Sequence, residues 1–163
     1  MMREKAYTLI LMSSQEEFVK LEEFVEKISD EFNIGHTYFS NIIVSLSELV
    51  KNAMIHGNKN NPQKKVAVIF SQNEGRLCFT VEDQGKGFPF PLTEASEIPE
   101  NANVRNGLSI VHSLSDSLEI ENNGSKITVY FDIAAANEIL SRSRIQTLKG
   151  TQTSETSKKS LHE

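Results

Sequence analysis

Glu48, Asn52 and His56 recur at every fourth position within SELVKNAMIHGN, residues 47–58. On a helix that spacing puts the acid and the amide on one face, about one turn apart, with the imidazole a turn beyond. An amide oxygen can ligate a hard cation while a neighbouring carboxylate takes a proton from a nucleophile. Magnesium suits such a pair, because it keeps several waters and uses few protein ligands beside substrate phosphates. Taken alone, the same spacing more often marks a solvated stripe on a surface helix.

A second group is VEDQGKGF, residues 81–88, where Asp83 ends an alternating apolar run and Gly85 and Gly87 follow. Taken alone, it more often marks a turn. A carboxylate held at a strand end can also accept a hydrogen bond from an exocyclic amine such as that of adenine, and the glycines let backbone approach a base or sugar. The third group, NVRNGLSIVHSL at 103–114, sets Asn106 and Gly107 before an amphipathic pattern. A helix starting there presents free N–H groups and a positive dipole end to phosphate, although most helices begin this way and bind nothing. The dinucleotide fingerprint is missing, since Phe88-Pro89 stand where a third glycine would open a helix, and there is no GxxxxGK[ST] loop. His36, His56, His112 and His162 lack HxxH or HExxH spacing, which argues against a zinc site.

The elements that must position these groups follow from periodicity. Tyr7 to Met12 suits a first strand, and Ser13 or Ser14 an N-cap with Glu16 and Glu17 in the first helical turn. Phe18, Leu21, Phe24, Val25 and Ile28 recur at helical spacing, ending near Asn33 to Gly35. A second helix is predicted from Thr37 to His56, stopped by Gly57 as a C-cap. Lys65–Phe70 and Leu77–Asp83 form a hairpin about SQNEGR. The irregular, proline-bearing stretch from Phe90 to Arg105 is a lid candidate. A third helix from Gly107 to Ser115, a second hairpin SLEIE–NNGS–KITVYFDI and a short closing helix ANEILSR complete an α+β fold. The expected architecture is a two-layer sandwich, a mixed but mostly antiparallel sheet with helices on one face.

With 38% hydrophobic and 24% charged residues, the 163-residue chain fits one domain over 1–140, followed by a polar, flexible tail at 141–163. A net charge of -5 argues against direct nucleic-acid binding, which depends on neutralising phosphates. Lone Cys78 allows no disulfide within the chain and points to a reducing cytoplasm. No apolar run approaches the roughly 20 residues of a membrane span, and Tyr7–Met12 is too short for a secretory core, so a soluble, unexported protein is expected.

In order and spacing, the three groups resemble the Bergerat ATP-binding domain shared by gyrase, heat-shock chaperone and histidine kinase ATPases. ELVKNAMIHGN looks like its N box, EDQGKGF its G1 box and NGLSIVHSLSD its G2 box, over about Tyr7 to Ile133. Within that superfamily the chain is most similar to anti-sigma factor serine kinases. The resemblance implies ATP and magnesium as cofactors, with Asn52 as magnesium ligand, Glu48 as general base and Asp83 holding adenine. It also implies that Gly85, Gly87, Arg105, Asn106, Gly107, Leu108 and Ser109 line the nucleotide site. The implied activity is phosphorylation of a serine on an anti-sigma factor antagonist, in a partner switch that sequesters a sigma factor. The alternative is a non-catalytic module of the same fold whose nucleotide state gates protein binding. Homodimerisation is implied by the resemblance alone. Where many members read GxGLG, this chain has Arg105, Asn106, Gly107, Leu108 and Ser109, keeping only the middle glycine.

Overall fold

The computed structural model describes residues 5–87, 102–134 and 145–147, with 102–105 described by backbone alone. Five strands form one sheet: β1 (Ala6–Met12), β2 (Lys65–Asn73), β3 (Arg76–Asp83), β4 (Ser117–Glu121) and β5 (Lys126–Asp132). Their order is β1-β2-β3-β5-β4, and every pairing is antiparallel. The expected α+β sandwich is therefore present, with an all-antiparallel sheet.

Alternation along the strands sends Val66, Val68, Phe70, Leu77, Phe79 and Val81 to one buried face. The register aligns Val68 with Val81 and Phe70 with Phe79, so large side chains meet across the sheet. Phe70 is the hub of an aromatic cluster, 5.0 Å from the Phe79 ring and 5.1 Å from that of Phe32. Three helices cover this face: α1 (Phe18–Phe32), α2 (His36–Asn52) and α3 (Ala102–Leu114). Their buried stripes include Leu21, Val25 and Ile28 on α1 and Ile42, Leu46, Leu49 and Val50 on α2. Cys78 points to the other face and is half-buried.

Local chemistry sets the joints. Glu74 and Gly75, both at positive φ (48° and 80°), make the tight turn between β2 and β3, so Asn73 pairs with Arg76 instead of lying in the loop. Ser14 occupies an N-cap but makes no capping bond; the Glu17 carboxylate accepts the Met12 N–H instead, at 3.1 Å. Asn33, left-handed at φ 51°, ends α1.

Two helix boundaries differ from expectation. The second helix is α-helical only to Asn52 and then widens into a π-turn over Ala53–Gly57. The third begins at Ala102, so the helix start expected at Gly107 lies instead within α3. Residues 90–101 of the expected lid lie outside the described residues, and 102–105 belong to α3. The closing helix ANEILSR lies outside them too, as does the tail apart from the helical residues 145–147. No helix among the described residues is long and apolar enough to cross a membrane.

Candidate functional site

Glu48 and Asn52 project from the last turns of α2 toward α3. Asn52 is 5% exposed, and its side-chain nitrogen is buried without a hydrogen-bond partner. An orphaned buried amide is uncommon, because leaving one unmade costs about 1–3 kcal/mol. A Cβ placed on Gly107 would lie 2.9 Å from Glu48 Oε2 and 3.3 Å from Asn52 Nδ2. This close approach accounts for a glycine inside α3, where it costs about 1 kcal/mol relative to alanine. The helix dipole expected to begin at Gly107 is therefore displaced toward Ala102, and what Gly107 contributes is room above the acid and the amide. The Glu48 carboxylate is paired at 3.0 Å with Lys51, whose ammonium is half-exposed.

At the other end of the site, the Asp83 carboxylate closes β3 and is 8% exposed. Its Oδ1 accepts the Gly85 N–H at 2.7 Å. Burial pushes this carboxyl above its ordinary range, opposed by the Gly85 hydrogen bond and the charge of Lys64. A Cβ on Gly57 would collide with the Asp83 carboxylate, and one on Gly85 with the Gly57 carbonyl. Gly57 is thus required for closeness. The left-handed residues after the helix are Lys59 and Asn60, at φ 56° and 54°, not Gly57, which corrects its reading as a C-cap. Gly87, at φ 77°, sits against the carbonyls of Asn122 and Asn123 in the β4–β5 turn.

The π-turn also alters the stripe. Asn58 N–H reaches the Ala53 carbonyl at 2.7 Å, five residues back, so the chain gains a residue per turn below Asn52. Glu48 and Asn52 share a face of α2, whereas His56 falls in the widened turn. Half-buried His56 has its pKa lowered by burial and then by Lys59. On α3, Leu108 is buried in the core, while Asn106 and Ser109 are exposed. Ser109, inside the helix, is no cap; the side chain of Arg105 lies outside the described residues.

Two polar residues beside Asp83, Asn58 and Gln84, went unread in the sequence, and Ser13, bonded to Asn58, was read only as an N-cap candidate. Asn58, fully buried, donates from Nδ2 to Ser13 Oγ (3.0 Å) and to the Lys65 carbonyl (2.9 Å), and its Oδ1 accepts the Gln84 N–H (2.8 Å). Ser13 in turn donates to the Lys64 carbonyl at 2.9 Å, and Gln84 Oε1 accepts the Lys65 N–H at 2.8 Å. The only signal was a polar residue directly after the glycine of HGN, which also suits a loop.

The residues present fit a metal-nucleotide complex. The Asn52 amide, whose oxygen is the atom able to ligate an ion, lies beside an acid under a helix with no Cβ at the point of contact, and a buried carboxylate stands at a strand end among glycines. No group of three His, Cys, Asp or Glu among the described residues could hold a metal, so an ion here would depend on few protein ligands and on its partner phosphates.

Residues 12–131 match the model of the histidine kinase-like ATPase domain. An anti-sigma F factor of Clostridium perfringens (strain SM101) is 35% identical over 96 residues, covering 54% of this chain and 68% of that protein. One from Bacillus cytotoxicus is 34% identical over 85 residues, 49% of this chain and 58% of its own. The serine-protein kinase RsbW of Bacillus subtilis is 27% identical over 106 residues, 59% and 66% of the two chains. Among solved structures, the RsbU and RsbW domains of Rv1364c from Mycobacterium tuberculosis share the fold, with a TM-score of 0.56 and 16% identity. That likeness covers 78% of this chain and 31% of the other. With a family match over most of its length and the N, G1 and G2 groups meeting in one site, the chain belongs to the histidine kinase-like ATPase domain family, among relatives named as anti-sigma F factors and serine-protein kinases.

Proposed function

We propose that the chain is an ATP-dependent anti-sigma regulator that phosphorylates a serine of an antagonist protein and sequesters a sigma factor until that antagonist displaces it. The observation that supports it best is the meeting of Glu48 and Asn52 beneath Gly107, a base and an amide ligand under a helix that leaves them room. Asp83 accepts a hydrogen bond from the adenine amine, and Gly57 and Gly85 let that carboxylate pack against the end of the preceding helix. Asn52 would hold a magnesium ion, which when bound would neutralise charge on the phosphates. Asn106, Gly107, Leu108 and Ser109, with Arg105 before them on α3, are assigned to the phosphate end.

Glu48 Oε2 takes the proton of the seryl hydroxyl. The seryl oxygen then bonds to the γ-phosphorus as the bond to the β–γ bridging oxygen breaks, and ADP leaves with the electron pair.

Titration calorimetry with ATP, with and without magnesium, tests the site. Magnesium-dependent binding that disappears in Asn52→Ala supports it, and binding unchanged in that variant overturns it. Radiolabel transfer to a serine-bearing antagonist, lost in Glu48→Gln while ATP still binds, tests the chemistry.

The Lys51–Glu48 ion pair favours a second reading, in which the acid is occupied structurally and ATP only gates partner binding. ATP-dependent capture of a sigma factor with no label transfer in wild type would select it.

A further inference from the structure

Asn58 stands at the Asp83 end of the site. It directly follows Gly57, whose backbone lies against the Asp83 carboxylate. Its Oδ1 accepts the N–H of Gln84, the covalent neighbour of Asp83, at 2.8 Å. One of its Nδ2 hydrogens goes to the carbonyl of Lys65, the neighbour of Val66, and Val66 is the strand partner of Asp83. The other goes to Ser13, just beyond β1. Both donors and the acceptor of one amide are thus used on three chain segments.

We infer that Asn58 is a positioning residue for the adenine end of the site, holding Asp83 against Gly57 by gripping the backbone on both sides of that carboxylate. An amide of this length is the side chain that fits. Aspartate has the acceptor and no donors, serine cannot span to both strands, and glutamine carries its amide a methylene too far. Because Asn58 is fully buried, water does not replace a lost bond, and the end of β3 is released to move relative to α2. Asn52 lies before the π-turn, so the magnesium end keeps its geometry. The role therefore separates two readouts: nucleotide affinity falls, while the ratio of affinities with and without magnesium does not.

This role rests, for its nucleotide readout, on the proposed adenine contact at Asp83. The experiment compares wild type with Asn58→Ser by ATP calorimetry with and without magnesium, thermal unfolding, and amide hydrogen exchange at Gln84 and Gly85. The expected result is a folded variant with ATP affinity weakened about tenfold or more, an unchanged magnesium ratio and faster exchange at Gln84. A variant with lower thermal stability but wild-type ATP affinity and Gln84 exchange overturns the positioning role. Should Asn58→Ser fail to fold, Ser13→Ala, which removes the bond Asn58 donates to Ser13 and the one Ser13 donates to Lys64, decides on the same readouts. Wild type that binds no ATP sinks the nucleotide reading instead, and Gln84 exchange then still decides whether Asn58 holds the strand end.

Discussion

Asp83 works under opposed demands. Burial raises its pKa above the ordinary 3.8 despite the Gly85 hydrogen bond, so the folded chain favours the protonated form. A raised folded value means that this group favours folding most below pH 3.8, and that the advantage is lost as pH rises through the folded value. At neutral pH the ionised carboxylate is a burden on the empty domain. Asp83→Asn, which keeps an acceptor for Gly85, is therefore expected to raise the melting temperature at pH 7 and to weaken ATP about tenfold or more, a stability gained against function. Scanning calorimetry across pH checks the sign, because the stabilisation must shrink on acidification and vanish below 3.8. The residue types at Glu48, Asn52 and Asp83 were legible because each sits in a short motif. Gly57 and Asn58 were not: their partners lie at 83, 84, 65 and 13, and nothing local in the chain announces a contact made across the fold.

Elements were read from periodicity, which located the three helices and both hairpins, placed the end of α1 and the bounds of β4, and misplaced the end of α2, the start of α3 and the turn of the first hairpin. The N-terminal part of α3 was hidden because VRNG resembles a loop, yet Gly107 sits in the helix where contact with α2 demands it. The π-turn was hidden because adding a residue to one turn leaves the apolar pattern of Ala53 and Met54 intact. Gly107→Ala separates the two roles of that glycine. Alanine favours the helix by about 1 kcal/mol, while its Cβ displaces the mobile end of Glu48. Urea unfolding is expected to change by no more than about 1 kcal/mol, and phosphoryl transfer to fall about a hundredfold through kcat. A variant as active as wild type would remove Gly107 from the site.

At the scale of the molecule, one sheet face and three helices form a core whose centre is Phe70, fully buried among Tyr7, Phe32 and Phe79. Phe70→Ala is expected to destabilise the domain by about 3–5 kcal/mol in denaturant titrations. Saturating nucleotide opposes such losses: at a hundred times its Kd, ATP with magnesium should add about 2.7 kcal/mol, and none in Asn52→Ala if that residue carries the ion. Equal stabilisation of both proteins would place the ligand elsewhere. The α+β layering was legible because it follows from alternation and helical spacing. The strand order was not, since β5 reaches β3 past α3 and β4, a choice made by packing instead of by local sequence.

The interlock of Gly57, Asp83 and Gly85 also constrains the route by which descendants of this chain could change. An alanine at 57 falls on the carboxylate of Asp83, so it is tolerated only after that side chain has been shortened. Shortening it first discards the group proposed to recognise the base. The mutations are accessible in one order alone, and the first passes through a protein with impaired nucleotide recognition. A lineage under selection for ATP is thereby held at Gly57 and Asp83, whereas one that has abandoned the nucleotide can lose first the carboxylate and then the glycine at 57; Gly85, set against the Gly57 backbone carbonyl, is held in both.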